Sequence, residues 1–493
     1  MSRFCIVLVF ILALTLPTNA IELDKEKNTG ITTLALPGSE VVYVVLSFRT
    51  GAVNDPEGKE GLNYVTTRLI EEQIDRAINE KAPASGASFS AQADKEITTF
   101  FFKAHREKFN EVYPVFIAGI TSPRINADSL QRALAQAANH RDHISRHGES
   151  LAQAALERFI YRGHPYGTPD SGTEKSLAAL TVREVTSFFA SRYTKENYEL
   201  GVAGRECGMI KKQVMSDLDA LPPGKPEMKA IGTPEPIERN RVLIIRKDGD
   251  ACDVALGFPV DFTRADDDFY PLMITNAHFG QHRYLNCLLS RELRKVRGFN
   301  YGDYSYLEKF REGGQDKMPG VRIPRLRQYF SIWLRSLSNE NACFAARYAL
   351  YQFNQMAEKG LSEKDFRIMR DFVTYNSKLW DYDPFQKLGF SMDSDFYHIP
   401  YFIASIGERM KKITAGEVSS ALGRRLADRK VKMVFVTDDP ETLKGRLLGK
   451  IDARPVYKSA LPEDERKVDE QVLKYDPGLT TGDIEIVEAK DLF

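Results

Sequence analysis

No net charge, few cysteines and a shortage of long apolar runs set the first limits on this 493-residue chain. Its 68 lysines and arginines are matched by 68 aspartates and glutamates. That balance excludes a global electrostatic pull toward nucleic acid or an anionic membrane surface. Of its five cysteines, Cys5 falls in the first twenty residues, and Cys207, Cys252, Cys287 and Cys343 have no zinc-finger or zinc-ribbon spacing. An oxidising compartment permits one or two disulfides among them without requiring any, and small buried side chains are the favoured reading. No Ser/His/Asp or Cys/His arrangement for nucleophilic catalysis stands out. No segment after the N-terminus is long and apolar enough to span a bilayer, which takes ~20 residues.

What is there starts with Met1–Ala20. Arg3 precedes an apolar run from Phe4 to Leu16, and Thr18-Asn19-Ala20 follows. A basic start, a short apolar core and a small-residue cleavage site read as a secretory signal peptide. The mature protein is expected outside the cytoplasm, with no membrane segment after cleavage. Apolar residues make up 43% and charged residues 28% of the chain, ordinary for a soluble globular protein. Its length calls for two or more domains.

The pattern reads as a duplication. In the first half, strands at 32–36 and 41–48 precede a helix at 61–78. The stretch SFSAQADKEITTFFFKA, residues 88–104, alternates as two paired strands do. Helices follow at 108–121, 128–143 and 149–161, then an apolar strand at 198–203. The second half repeats the order, with strands at 242–245 and 255–258 and a helix over 270–297. Strands at 301–306 and 329–337, helices at 339–359 and 362–379, and a last strand at 432–437 complete it. Thr181-x-x-Glu184 and Thr414-x-x-Glu417 recur at the same place in the two strings, each a capping box ahead of an amphipathic helix. Between the halves, residues 221–240 hold five prolines and two glycines, a linker composition. The expected division is signal peptide 1–20, first domain 21–220, linker 221–240, second domain 241–460 and a C-terminal tail 461–493. The fold class is α+β, two domains of roughly 200 residues each.

Four stretches carry a resemblance: RTGAVNDPEGKEGL (49–62), YRGHPYGTPDSGTEKSLAALTVREV (161–185), LSRELRKVRGFNYGDYSYLE (289–308) and GDIEIVEAKDLF (482–493). In this order and spacing they resemble the insulinase/pitrilysin family of zinc peptidases, in its secreted bacterial branch. The resemblance implies two homologous α/β-sandwich domains forming one half of a clamshell that encloses an unfolded peptide, and a periplasmic location. It also implies a zinc helix of pattern H-x-x-E-H, two histidines binding the metal and the glutamate acting as general base, with a further glutamate ligand on a later helix.

Aligned on Gly61-Leu62, that pattern falls on Tyr64, Thr67 and Arg68. A tyrosine must lose a proton from a pKa near ~10 to ligate zinc, and arginine is a permanent cation. Threonine cannot shuttle a proton at neutral pH. The later glutamate, expected around 134–138, is missing as well, since no glutamate stands between Glu111 and Glu149. The zinc motif is therefore degenerate, and no cofactor is expected in this chain. His140, His143, His147 and Glu149 form a histidine-rich stretch in which His143 and His147 share a helical face; a solvated helix end is the favoured reading. His164 belongs to the HPYG loop and is read as structural. His278, His282 and His398 have no partner at ligand spacing.

The resemblance implies a retained part as well. Arg294 and Tyr301 match an R-x6-Y spacing that in the family lines the chamber opposite the zinc. A guanidinium can hold a substrate carbonyl or carboxylate with forked hydrogen bonds, and a phenol can donate to the oxyanion formed on attack. The plainer account is a basic helix end, with Arg291, Lys295 and Arg297, followed by a tyrosine-rich strand. The expected function is the non-zinc-binding subunit of a heterodimeric metallopeptidase. Its partners are a homologous zinc-bearing subunit and a peptide or unfolded-protein substrate. The alternative is a non-catalytic peptide-binding or scaffolding homologue, a homodimer included.

Overall fold

β3 (Val41–Phe48) shows how the two halves are joined. Its sequence VVYVVLSF is buried on both faces from Val44 to Phe48, which is why it reads as a continuous apolar run. Val42, Val44, Leu46 and Phe48 point to one side, into a core shared with helices of the first half. Val45 points to the other, against Leu388 and Met392 of the second half. The computed structural model describes residues 22–26, 30–227, 229–311 and 318–492. The segment read as a signal peptide lies outside them.

The first sheet adds β1 (Glu22–Glu26), β2 (Ile31–Ala35), β4 (Ser88–Ala93), β5 (Thr98–His105) and β6 (Tyr198–Gly204), in the order β1-β2-β6-β3-β5-β4. Its helices are α1 (Leu62–Lys81), α2 (Arg106–Thr121), α3 (Ala127–Arg146), α4 (Gly148–Ile160), α5 (Glu174–Ala178), α6 (Val182–Arg192) and α7 (Cys207–Leu218). The second sheet contains β7 (Arg241–Arg246), β8 (Cys252–Val260), β9 (Gly302–Tyr306), β10 (Gln328–Leu337), β11 (Lys432–Thr437) and β12 (Ile484–Glu488), in the order β12-β7-β11-β8-β10-β9. Setting aside β1 and β12, the two orders coincide strand for strand, and β2–β6 and β7–β11 are the matching parallel pairs. The duplication is real at the level of topology. Both predicted capping boxes form, with Thr181 N donating to Glu184 and Thr414 N to Glu417 at 2.7 Å each.

The helices of the second half are α8 (Phe269–Gly280), α9 (Asn339–Lys359), α10 (Glu363–Asn376), α11 (Pro384–Phe396), α12 (Phe402–Met410), α13 (Ala415–Arg425), α14 (Pro440–Leu447) and α15 (Glu463–Lys474). The single helix expected over 270–297 is broken. α8 ends at Gly280, whose missing side chain leaves room for Ser305, a built Cβ lying 2.6 Å from its hydroxyl. The chain turns through Arg283 in the left-handed region and re-forms a π-helical turn at Ser290–Val296. α11 and α12 were not anticipated. The tail contributes β12, which extends the second sheet in parallel with β7. All four cysteines described are free and buried.

Each sheet lends a helix to the other. α4, from the first half, lays Leu151, Leu156 and Ile160 on Leu243, Ala255 and Val434 of the second sheet. α11, from the second half, covers Leu34, Val45 and Ala203 of the first. Two fully buried arginines from the segment before β10 fasten the contact. Arg322 reaches Glu199 of β6 at 2.6 Å and Asp393 of α11 at 3.2 Å. Arg325 reaches Asp94 at 2.5 Å and Glu157 of α4 at 3.0 Å. Burial pushes Glu157 up, but Arg325, Lys309 and Lys95 outweigh it and hold its carboxyl well below the usual range. Among the described residues of 221–240 there is no helix or strand, yet the Gly232 carbonyl accepts from Arg327 Nε at 2.8 Å and from His164 at 3.0 Å.

Removing one member of a buried ion pair strands its partners and costs ~3–5 kcal/mol. Arg325→Ala is expected to lower unfolding free energy by about that amount, read by urea denaturation with both halves melting in one transition.

Candidate functional site

α1 begins where its sequence suggests, and Gly61 is held there by geometry. Its φ of +91° is a left-handed conformation, and a Cβ at this point would lie 2.8 Å from Gly172. Asp55 caps the helix start, accepting from Gly61 N at 2.7 Å and Asn63 N at 2.8 Å. Tyr64, Thr67 and Arg68 follow on consecutive faces of the first two turns.

None of the three is set to hold a metal. Thr67 is fully buried, and its hydroxyl donates to the Asn63 carbonyl at 2.8 Å and meets the Tyr193 hydroxyl at 3.1 Å. The Arg68 guanidinium pairs with Glu71 at 2.5 Å and lies 5.2 Å from the Tyr64 ring centre. A fixed cation thus stands where a zinc ligand would be needed, and the donor set does not fit the metal.

In the stretch where a later ligand is expected, Leu134 packs on the first core, as Tyr64 does, and Ala137 is buried within it. One turn further along α3, the His140 ring stacks on Tyr64 at 5.5 Å. His143 and His147 do share a face, their ring centres 4.2 Å apart, while Glu149 is turned away to Arg335 at 2.6 Å. Burial pushes the Glu149 carboxyl up to about 7. Among the described residues no three His, Cys, Asp or Glu side chains form a group that could hold a metal. His164 accepts from Tyr166 N at 3.1 Å and so caps the HPYG turn. Burial pushes the His278 imidazole down, and His282 meets the Tyr306 hydroxyl at 2.6 Å. His398 takes a left-handed turn, φ 55°, after α11.

Tyr64, Arg68 and His140 line one wall of a cavity of about 630 Å³ between the halves, with Arg158 from α4 and Lys309 and Arg311 from the second half on the others. Arg294 and Tyr301 lie elsewhere. They meet at the end of the π-helical turn, the guanidinium carbon 5.3 Å from the Tyr301 ring centre and Nη1 donating to the Tyr301 carbonyl at 3.3 Å. Tyr301 is 82% exposed. Among the basic residues here, Arg291 is paired with Glu292 at 2.8 Å, and Arg297 is buried against Asp469 at 2.7 Å and Glu465 at 2.9 Å. Lys295 donates to Asn286 at 2.9 Å. Arg294 pairs with no carboxylate among the described residues.

Asp303, which sequence reasoning did not single out, lies in β9 just beyond this pair. It is fully buried, accepts from Asn300 Nδ2 at 2.7 Å, and its Oδ2 has no hydrogen-bond partner. Burial pushes its carboxyl up to about 7, against the lowering pull of Asn300 and Arg294. Glu71 was missed too. Glu71 stands outside the quoted stretches and Asp303 inside one of them, and each acquires its surroundings only through the fold.

The family profile "Insulinase (Peptidase family M16)" matches residues 31–174, and "Peptidase M16 inactive domain" matches residues 179–371. A Mycobacterium leprae protein named as an uncharacterized zinc protease is 27% identical over 174 residues, 34% of this chain and 37% of that protein. An insulin-degrading enzyme homologue of Dictyostelium discoideum is 23% identical over 168 residues, 33% of this chain and 17% of that one. The chain thus aligns with well under half the length of these curated relatives. Among solved structures, a peptidase M16 inactive domain from Pseudomonas fluorescens superposes with a TM-score of 0.73 at 19% identity, covering 85% of this chain and 98% of that one. A protease from Helicobacter pylori gives 0.69 at 15% identity, covering 85% and 99%.

Two outcomes follow from this geometry. Tyr64→His with Arg68→His adds two imidazoles facing His140, and elemental analysis is expected to show uptake of about one zinc per chain, abolished by His140→Ala; the unaltered chain takes up far less. Asp303 binds its proton more tightly folded than unfolded, so its contribution to stability is present below pH ~4 and lost as pH rises through about 7. Asp303→Asn is expected to flatten that part of the stability–pH curve.

Proposed function

Two insulinase-family domains (peptidase family M16), N-terminal and C-terminal, make up this homologue of zinc proteases, and from that premise we propose that the chain is the non-zinc-binding subunit of a heterodimeric metallopeptidase. It supplies Arg294 and Tyr301 to a chamber whose zinc is held by a homologous partner.

The observation that carries this reading is the state of Arg294. Its basic neighbours are engaged with acids or amides, while its guanidinium meets the carbonyl and the ring of the exposed Tyr301 and no carboxylate among the described residues. That is the arrangement of a pair waiting for a ligand. The guanidinium offers forked donors to a substrate carbonyl or carboxylate. The Tyr301 hydroxyl offers one donor to the oxyanion that develops at the cleaved carbonyl. Hydrolysis itself is supplied by the partner's zinc; Arg68 bars the metal from this chain's own helix. Under this reading the signal-like Met1–Ala20 directs this chain to the periplasm, where it meets its partner and a peptide or unfolded-protein substrate.

The test is reconstitution. The chain alone should leave an internally quenched peptide uncut, and mixing it with a homologous subunit carrying H-x-x-E-H should produce cleavage. In that complex Arg294→Ala is expected to lower kcat/KM by about 100-fold and Tyr301→Phe by about 10-fold or more. Unchanged values would sink the shared-site role. A complex that forms but never cleaves would favour the scaffolding alternative.

A further inference from the structure

β4 is the outermost strand of the first sheet and pairs with β5 alone. In an antiparallel edge strand, alternate peptide groups face away from the sheet and form a template for an added strand. Here the central outward group, that of Ala91, is already occupied. Its N–H donates to Glu71 Oε1 at 2.8 Å, and its carbonyl accepts from Arg68 Nη2 at 2.5 Å. Arg68 and Glu71 stand three residues apart on α1 and bridge each other at 2.5 Å. Three charge-assisted contacts therefore close a ring on the backbone N–H and C=O of one residue. The guanidinium is backed by the Tyr64 ring, and that ring by His140 of α3.

The clamp also divides the cleft between the β4 edge and α3. On one side lies the cavity bounded by Tyr64, Gln92 and His140. On the other lies a second cavity, also about 630 Å³, bounded by Glu71, Phe89 and Gln136. Phe89 and Ala93 share the outward parity of Ala91, so a strand laid along this edge would run from one cavity to the other and meet the clamp midway.

We infer that Arg68 and Glu71 form an intramolecular latch that closes the β4 edge to strand addition by an extended peptide. An incoming strand must break both bonds to Ala91 and leave two largely buried charged groups, 17% and 20% exposed, to find new partners. The arginine that removes the metal also fills the place an added backbone would take. The latch is independent of the heterodimer reading, which concerns Arg294 and Tyr301 on the other sheet, so either can fail alone.

Hydrogen exchange on the intact chain tests it without a mutation. The Ala91 amide is expected to exchange at least about 10-fold more slowly than those of Phe89 and Ala93, and Glu71→Ala to abolish the difference. The second measurement is anisotropy of a fluorescein-labelled ten-residue peptide of alternating Val and Thr. Arg68→Ala with Glu71→Ala, its melting temperature confirming that it folds, should bind this peptide at least about 10-fold more tightly than the unaltered chain. An Ala91 amide no slower than its neighbours overturns the latch, as does a folded double variant with no gain in affinity.

Discussion

The structure depends on two arginines that carry charge into a dry interface. Arg322 and Arg325 arise in the second half and are fully enclosed by acids drawn from both. Burying a guanidinium is costly unless every face is satisfied, so these contacts enforce one relative position of the sheets. That position brings α4 onto the second sheet and α11 onto the first, and it sets the walls of the cavity between them. Arg322 adopts a left-handed backbone, φ 59°, to make its contacts, a strain that only a strongly specified site sustains.

Within this fixed frame, the side chains at the start of α1 engage one another and their surroundings. Gly61 still packs against Gly172, and Asp55 still caps the helix. The side chains beyond are tied to one another: threonine to tyrosine, arginine to glutamate, tyrosine to histidine. This part of the fold is held by stacking and hydrogen bonds. The second half carries Arg294 against the exposed Tyr301.

Much of this was legible in the sequence because it is written in local periodicity. The double strand order and the paired capping boxes follow from alternation and spacing, and the attention to Tyr64, Thr67 and Arg68 follows from the resemblance that the quoted stretches carry. The second-half helices α11 and α12 were hidden by the Asp-Tyr-Asp-Pro start and by the break at His398, although Phe385, Leu388 and Met392 do recur on one helical face. The break after Gly280 depended on Ser305, which no local pattern announces. The stacking of His140 on Tyr64 likewise depends on how α3 packs against α1. Arg322 and Arg325 lay beyond reach because their partners are distant in sequence, and Asp303 because only burial sets it apart; Glu71 needed the β4 edge brought alongside α1.

The exchange of α4 and α11 bears on how the chain must be made. When residues up to Gly204 have emerged, the first sheet is complete but for the face that α11 will cover, so Leu34, Val45 and Ala203 are bare. Nearly 200 further residues must be synthesised before Leu388 and Met392 arrive, and β12 joins the second sheet only at residues 484–488. Contacts of such sequence separation close slowly and leave apolar sheet open to wrong partners in the meantime. The nascent first half therefore lacks the cover for one face of its sheet until α11 is made, and the two halves complete each other's cores only when both are present.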